Sequence, residues 1–390
     1  MPRTGGGFSG PLSAIAVTGI ALGVVVMVMA VSILRGFQDD ISGKVAGFGS
    51  HLTVTSFTTS DAYSDTPVAV DSTLLEALRS VPGVRHVQCF ATKGGMVKTE
   101  EQIYGIMFRG MGEGYDTSFY HSCLVEGRLP SETNDVLISS TISSKLGLKG
   151  GDKMRTYFWS GDSYRSRAFT VCGIYNTDLA EMDELYVVGD LRQVQRIEGW
   201  GDSLVGGYEL LVDDFDELQA TARRVAEVLP YDLQLRTIVE QHPALFSWLD
   251  LLNANIALIL TIMCLVSAVA IVSALLIMIF EKGTTIGLLK ALGASNAEVR
   301  SIFMLKASGL IATGVAIGDG VALALSLAQN HWRLLTLDPE SYSMAYVPVE
   351  IDPWVYVAVS MGTMAVCVAA LLLPAAYISK VSPAKTMRSE

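Results

Sequence analysis

The sequence is short of charged residues. Only 17% of its 390 residues are charged, 50% are hydrophobic, and the mean hydropathy is +0.40. A typical soluble domain carries about 25% charged residues, so this composition excludes an ordinary soluble protein and predicts membrane spans. Basic residues are the scarcer kind, with 28 against 39 acidic residues and a net charge of −11. That balance argues against a nucleic-acid-binding protein.

The sequence also lacks the motifs of common catalytic sites. No stretch reads G-x-x-x-x-G-K-[ST], and the nearest one, residues 147–153, has the wrong spacing. The chain therefore cannot hydrolyse ATP by that route. H-E-x-x-H and G-x-S-x-G are absent too, and the histidines are scattered, at His51, His86, His121, His242 and His331. We expect no catalytic residue, no metal site and no cofactor on this chain.

Cysteine is scarce, with five residues in all. Cys264 and Cys367 lie in apolar runs, where cysteine behaves as a small hydrophobic side chain. Cys89, Cys123 and Cys172 lie outside these runs, and no pair has metal-site spacing. We expect these three thiols to be unpaired, although one disulfide plus one free thiol would also fit the count.

The sequence contains four long apolar runs with almost no charged residues. Each run is long enough to cross about 30 Å of hydrocarbon, and they comprise residues 12–34, 256–280, 302–328 and 354–378. Residues 1–11 do not combine a cationic n-region with an A-x-A cleavage site, so the first run is predicted to be a retained span rather than a signal peptide. Within it, Gly19-x-x-x-Gly23 would allow close helix packing.

The basic residues predict how these spans are oriented, because cytoplasmic loops carry an excess of Lys and Arg near the span ends. The relevant residues are Arg3 in segment 1–11, Lys282, Lys290 and Arg300 in segment 281–301, and Lys380, Lys385 and Arg388 in the tail, 379–390. The loop 329–353 has only Arg333. Both termini and the segment 281–301 are thus predicted to be cytoplasmic, and 35–250 and 329–353 extracytoplasmic.

The segment 35–250 has the pattern of a large α+β domain. The predicted elements are a strand at 51–55, a helix at 72–79 and a strand at 84–90, then a strand at 209–212, a helix at 215–229 and a strand at 231–238. Between these two halves, residues 120–205 carry short β-runs and turns, which predicts an inserted β-rich subdomain. Apolar residues at helical spacing then lead from His242 into the second span, which predicts a stalk helix.

The segment 281–301 carries its own helix-ending signals. Gly283 is predicted to end the incoming helix in the left-handed conformation, and Gly293 to end a short apolar helix. Ser295 is followed three residues later by Glu298, a capping box that opens the next helix. A helix held between two ends at a membrane face suits a docking surface, and a plain helical turn fits the spacing equally well.

One ionisable residue, Asp319, lies inside an apolar run. A carboxyl group within the membrane is costly, which makes Asp319 a candidate functional residue. The alternative is that Asp319 lies towards the outer leaflet and hydrogen-bonds to a neighbouring helix.

The order of these parts and several short motifs resemble a known family. The motifs are Gly19-Ile-Ala-Leu-Gly23, Arg35-Gly-Phe37, Gly49-Ser-His51, Ile286-Gly-Leu-Leu-Lys-Ala-Leu-Gly-Ala294, Pro348-Val349 and a C-terminal S-P-A-x-x-M-R. They are similar to the FtsX-like permeases, the membrane subunits of MacB-type ABC systems, and among these to the LolC/LolE lipoprotein-releasing permeases. The family's amphipathic stretch before the first span is not matched, since only residues 1–11 precede it here.

The resemblance implies a fold and partners. The fold is a membrane protein with four transmembrane helices and a large extracytoplasmic α+β domain like the paired Porter and Sabre subdomains, in the bacterial inner membrane. The partners are a second permease, identical or paralogous, and two copies of a separate ATPase that holds ATP and magnesium. The segment gripped by the ATPase is then a coupling helix made of Ile286, Gly287, Leu288, Leu289, Lys290, Ala291, Leu292, Gly293 and Ala294.

The resemblance also implies a cargo, a lipoprotein that is released to a periplasmic carrier. Its acyl chains are expected in the cavity between the first span and the second span of the partner permease, near Met27, Met29, Leu34 and Phe37, because methionine adapts to variable apolar ligands. It fits equally well that Arg35 and Phe37 only anchor the span at the membrane surface. Gly36 is expected to turn the chain at the headgroup level. Two other functions stay open: a MacB-like export or efflux permease, and an FtsX-like signalling subunit that activates an outer hydrolase.

Overall fold

The structure is a computed structural model that describes residues 9–57, 64–99, 102–160, 163–338 and 344–377. Arg3, Lys380, Lys385, Arg388 and the C-terminal S-P-A-x-x-M-R motif lie outside the described residues. The chain divides into two compact units. The helical unit is formed by Met1–Gln38, Trp248–Thr336 and Tyr346–Glu390, and the sheet unit by Asp39–Ser247 with Leu337–Ala345.

The described chain alternates between long helices and a strand-rich central part. The helices are α1 (Ser9–Gly49), α2 (Ser72–Ser80), α3 (Ser118–Ser122), α4 (Ser140–Leu146), α5 (Ala180–Leu185), α6 (Leu191–Glu198), α7 (Leu218–Val228), α8 (Ile238–Gln241), α9 (Pro243–Glu281), α10 (Gly283–Ala291), α11 (Asn296–Trp332) and α12 (Pro353–Tyr377). The strands are β1 (Leu52–Ser56), β2 (Val68–Ala69), β3 (Val84–Lys98), β4 (Ile103–Met111), β5 (Leu124–Gly127), β6 (Asp135–Ser139), β7 (Lys153–Ser160), β8 (Ser163–Tyr175), β9 (Tyr186–Asp190), β10 (Leu204–Val205), β11 (Gly207–Val212) and β12 (Leu233–Thr237).

Four of the helices, α1, α9, α11 and α12, are long and apolar enough to cross a membrane. The four apolar runs predicted as spans fall on these helices. The predicted stalk is confirmed as a helix, because α9 continues without a break from Pro243 to Glu281. Helix α1 is longer than its predicted span and continues to Gly49.

Glycine lets the helices of the helical unit approach one another closely. A Cβ at Gly23 on α1 would lie 2.5 Å from the Ser267 hydroxyl oxygen on α9. A Cβ at Gly318 on α11 would lie 2.8 Å from the Val24 Cβ on α1. The close packing predicted for Gly19-x-x-x-Gly23 is therefore confirmed at Gly23, and the small residues bring the backbones together.

Apolar side chains fill the space between these helices. The buried cluster consists of Ile20, Val24, Met27 and Val28 from α1, Ile271, Leu275 and Ile279 from α9, Ile286 from α10, Val299, Phe303, Ala307, Ile311, Val315 and Ala322 from α11, and Cys367 and Leu371 from α12. The short helix α10 thus contributes a core side chain of its own.

The sheet unit is organised around one 10-stranded mixed sheet with the order β12-β1-β11-β3-β4-β9-β6-β8-β5, while β7 pairs with both β3 and β8. The pairs β4–β9 and β6–β8 are parallel. The six elements predicted for the two strand–helix–strand halves are present as β1, α2, β3, β11, α7 and β12. The strands of the predicted insertion, β5 to β9, continue the same sheet beyond β4. Cys89, Cys123 and Cys172 carry free thiols.

A buried ion pair crosses the sheet between Arg109 on β4 and Glu209 on β11. The Tyr115 hydroxyl donates to the Glu209 carboxylate at 2.9 Å, and the Gln88 side-chain amide donates to it at 3.1 Å. Burial raises the pKa of the Glu209 carboxyl group, and the positive charge of Arg109 opposes that rise. Loss of the arginine would leave a buried carboxylate without its counter-ion.

We predict that Arg109→Met lowers the free energy of unfolding by about 3–5 kcal/mol, because removing one partner of a buried pair strands the other charge. Thermal unfolding of the purified full-length chain in detergent, compared between variants, measures the effect. Arg192→Met is the matched control, since the Arg192 side chain is 64% exposed in its pair with Asp190 and such pairs contribute about 0–1 kcal/mol.

Adding Glu209→Gln to Arg109→Met should restore part of the lost stability, because the remaining side chain is then neutral. Equal losses from the Arg109 and Arg192 variants would contradict the role given to the buried pair.

Candidate functional site

Helix α10 ends in a well-formed Schellman motif. The Gly293 N–H donates to the Lys290 carbonyl oxygen at 3.1 Å, and the Ala294 N–H donates to the Leu289 carbonyl oxygen at 3.0 Å. This motif needs a left-handed residue after the helix, and Gly293 supplies it with a φ of 101°. The prediction that Gly293 ends the short helix is confirmed.

Helix α11 begins directly afterwards at a capping box. The Glu298 N–H donates to the Ser295 hydroxyl oxygen at 3.2 Å, and the Ser295 N–H donates to the Glu298 carboxylate at 2.7 Å. Both halves of the predicted capping box are therefore present, and a cap of this kind stabilises a helix by about 1 kcal/mol. The connection between α10 and α11 is short and conformationally fixed.

The start of α10 differs from the prediction. Gly283 is the first residue of α10, and its φ is not positive. A single residue, Lys282, joins the helices: its N–H donates to the Met278 carbonyl oxygen at 3.1 Å, and its own carbonyl oxygen accepts from the Ile286 N–H at 3.0 Å. The predicted left-handed Gly283 is wrong, because helical hydrogen bonding continues almost unbroken across the junction.

Helix α10 presents an apolar patch to its surroundings. Leu288 is 62% exposed and Leu292 is 78% exposed. Residues four apart on a helix lie side by side, so these two leucines form a small surface, called here the Leu288–Leu292 patch. On the opposite side, Ile286 is buried in the core of the helical unit. The helix is therefore fixed to the core of the helical unit through Ile286, and it exposes Leu288 and Leu292 on its other face.

The nine predicted coupling residues fall into two groups by their exposure. Buried or half-buried are Ile286, Gly287, Leu289, Lys290 and Ala294, and exposed are Leu288, Ala291, Leu292 and Gly293. Leu289 and Ala294 pack against the core of their own unit. Only the exposed residues can meet a partner without rearrangement of the permease core.

The four residues predicted to line an acyl site do not share one surface. Met27 and Leu34 are buried, whereas Met29 and Phe37 are half-buried. The Met27 sulfur lies 3.7 Å from the Cys264 sulfur, and Met27 belongs to the core cluster. Met27 therefore lies in the core of the helical unit and Leu34 is buried as well, so that only Met29 and Phe37 are accessible. The acyl site itself stays a prediction.

Two motifs that are far apart in the sequence meet at Gly36. A Cβ at this position would lie 2.7 Å from the Pro348 carbonyl oxygen and 3.1 Å from the Val349 nitrogen. Helix α1 continues through Gly36 without a break, so the predicted chain turn is wrong. Glycine is required here because the backbone of Pro348 approaches the helix too closely for a side chain.

Polar contacts reinforce this junction. The Glu350 N–H donates to the Ser32 carbonyl oxygen at 3.1 Å. The Arg35 guanidinium group pairs with the Asp352 carboxylate at 2.5 Å. Together with the contact at Gly36, these bonds hold residues 348–352, called here the strap, against α1. The strap leads into α12, and this set of contacts is called here the Gly36 joint.

Asp319 on α11 is hydrogen-bonded to a neighbouring helix. The Ser360 hydroxyl oxygen on α12 lies 2.8 and 2.7 Å from the two carboxylate oxygens of Asp319. This is the contact expected from the structural alternative. It accounts for the presence of a carboxyl group in an apolar helix, and a functional role for Asp319 stays a prediction.

Comparison with known families accounts for both units of the chain. The family model of the FtsX-like permease C-terminal region matches residues 241–383. The family model of the MacB-like periplasmic core domain matches residues 13–228, which is more than half of the chain. The chain belongs to the FtsX-like, MacB-type ABC transporter permeases. The resemblance drawn from the sequence motifs is thereby confirmed, and the permease is the non-catalytic membrane subunit of such a transporter.

The permease is similar over nearly its whole length to curated relatives. The lipoprotein-releasing system transmembrane protein LolC of Neisseria meningitidis is 24% identical, over 98% of this chain and 95% of the relative. The corresponding protein LolE of Haemophilus influenzae is 22% identical, over 95% of this chain and 92% of the relative. The periplasmic region of MacB from Actinobacillus actinomycetemcomitans covers 52% of this chain and 95% of its own, at 14% identity and a TM-score of 0.35.

We predict that Gly36→Ala destabilises the permease although alanine is the better helix former by about 1 kcal/mol. The added Cβ would lie 2.7 Å from the Pro348 carbonyl oxygen, so the Gly36 joint must open. Thermal unfolding in detergent reports the change. The control is Gly43→Ala on the same helix, where a Cβ meets nothing within 4 Å; this variant should be neutral or stabilised. If both variants gain stability, the close approach at Gly36 is not a constraint.

Proposed function

We propose that this permease couples ATP hydrolysis on a separate subunit to the release of lipoproteins from the inner membrane to a periplasmic carrier. The observation that carries the proposal is similarity to LolC across 98% of this chain, which includes the sheet unit as well as the long helices. The sequence motifs at residues 19–23, 35–37 and 286–294, all in the helical unit, also support it. The permease would act as a dimer with an identical or paralogous permease, on two copies of the ATPase.

The Leu288–Leu292 patch is the surface on which the ATPase would act. Full burial of a leucine side chain contributes about 1.5–3 kcal/mol, so two exposed leucines on one face favour a protein partner. The caps at Gly293 and Ser295 keep the helix from unfolding when it is pushed. An ATPase in the cytoplasm can reach this patch only if α10 faces the cytoplasm, and the basic residues Lys282, Lys290 and Arg300 favour that orientation. Both termini would then also face the cytoplasm, and the sheet unit would lie in the periplasm.

The energetics require ATP and an acceptor. Each acyl methylene buried in the bilayer contributes about 0.8 kcal/mol, so removal of a lipoprotein with several chains takes tens of kcal/mol. A single conformational change of the permease cannot supply that free energy at equilibrium. A carrier that buries the chains again lowers the requirement, and ATP hydrolysis drives the cycle in one direction.

Leu288→Asp should abolish stimulation of the ATPase by the permease, because a carboxylate buried against a partner without a counter-ion is strongly unfavourable. The measurement is ATP turnover by the reconstituted complex of permease and co-purified ATPase. Leu292→Asp should have the same effect. Val125→Asp is the control: Val125 on β5 is 66% exposed, close to the 62% of Leu288, and its change should leave turnover intact. Normal stimulation with both leucine variants would remove α10 from the interface.

The cargo is tested separately in proteoliposomes that contain the permease, its ATPase and a triacylated lipoprotein. Addition of ATP together with a soluble carrier should move the lipoprotein into the supernatant, and either addition alone should not. The Leu288→Asp complex serves as the inactive control. A MacB-like exporter or a signalling subunit would hydrolyse ATP in this system without releasing lipoprotein, and that result would refute the proposed cargo while leaving the coupling helix in place.

A further inference from the structure

The helical unit exposes large apolar side chains at the junction of α11 and α12. Trp332 ends α11, Leu334 and Leu335 follow it, and Trp354 lies in the first turn of α12. Leu334 is 66% exposed and Trp354 is 79% exposed, and the other two are exposed as well. These four residues are called here the loop surface. They belong to a segment that the sequence predicts as an extracytoplasmic loop, where water would meet them.

The backbone that presents the loop surface is held in place. The buried Gln329 side chain donates to the carbonyl oxygens of Leu335 at 3.1 Å and Val347 at 3.0 Å, and its own oxygen accepts from the Leu335 N–H at 3.0 Å. Arg333 adopts a left-handed conformation, with a φ of 48°, and its guanidinium group lies 4.3 Å from the centre of the Tyr346 ring. The leucines are thus turned outwards by a fixed structure.

The length of α11 indicates how deep the loop surface would lie in a bilayer. Lys306 is an exposed charged residue within the helix, and an ammonium group on a spanning helix must reach the headgroup level. At about 1.5 Å per residue, Trp332 lies about 39 Å along the helix from Lys306. A bilayer with its headgroup regions is about 40–45 Å thick. When Lys306 lies at one headgroup layer, Trp332 therefore lies at the other.

We propose that the loop surface is embedded in the headgroup region of the bilayer and binds phospholipid directly. Tryptophan is favoured at this level, because its ring is amphipathic. Leu334 and Leu335 would contact the first acyl methylenes, and the exposed guanidinium group of Arg333 faces the phosphates. The occupant is membrane lipid rather than a second permease, since the surface continues directly from the ends of two membrane-spanning helices. The inference does not depend on the cargo of the permease.

The test places a fluorescent reporter at the surface. The five native tryptophans are replaced by phenylalanine, and Leu334→Trp is introduced. The full chain is then reconstituted in phosphatidylcholine vesicles. The quencher is either iodide, present on both sides of the vesicle membrane, or lipid that is brominated near the headgroup. Bromolipid should quench the fluorescence about twofold, since a ring at this depth lies among the first methylenes, and iodide should quench it little. Leu288→Trp in the same background is the matched control, and it should respond to iodide instead.

Two results would overturn the proposal. Strong iodide quenching of Leu334→Trp would place the surface in water, and insensitivity to both quenchers would place it under protein, as in an interface with a second permease. A nitroxide on Leu334→Cys, with the native tryptophans kept and the native cysteines replaced by serine, gives an independent reading if the tryptophan-free protein fails to fold. Its relaxation should respond to oxygen, which partitions into lipid, more than to a water-soluble nickel complex.

Discussion

Close backbone contact at glycine holds the helical unit together. In hydrocarbon, helices gain nothing by hiding apolar side chains from one another, so their association depends on van der Waals packing and on polar bonds. Helix α1 meets α9 at Gly23, α11 at Gly314 and Gly318, and the strap before α12 at Gly36. At Gly36 and Gly318 the contact is too close for a side chain, and at Gly23 and Gly314 an added Cβ would force the neighbouring atoms to shift. Helix α1 is therefore the element on which the other spanning helices are assembled.

The sheet unit depends on a different interaction, a buried ion pair between strands that are far apart in the sequence. Its strands come from two distant parts of the sequence, and β4 is the strand at which the sheet passes into residues 120–205. Arg109 lies on that strand, beneath the rings of Phe48 and Phe90 at 5.3 and 5.4 Å, and pairs with Glu209. A buried charge pair has one satisfactory geometry, because each group is desolvated and must meet its partner. The pair therefore links β4 to β11 across the intervening strand β3.

The sequence was sufficient for features that depend on local signals. Gly293 and the Ser295–Glu298 box were predicted because a left-handed residue and a reciprocal cap each need a particular residue type at a particular place. Gly36 was misread, because glycine permits a turn and a close approach alike, and its contact with Pro348 joins residues far apart in the chain. The exposed role of Leu288 could not be found either, since a helix that is apolar all round has no pattern that tells which face meets protein.

The same contacts give a displacement of α10 a route through the helical unit. Helix α10 is closed by the Schellman motif at Gly293, and its Ile286 side chain lies in the core cluster with side chains from α11. A force on the Leu288–Leu292 patch would therefore move α11 rather than bend the connection. Helix α11 in turn contacts α1 through Gly314 and Gly318, where a Cβ at either glycine would lie within about 3 Å of α1 atoms. Close-packed interfaces slide or separate as units because they have little space to deform into. Motion at α10 would accordingly reach α1 and, through the Gly36 joint, the strap that leads into α12. The joint would then link the motion of α1 to the position of α12.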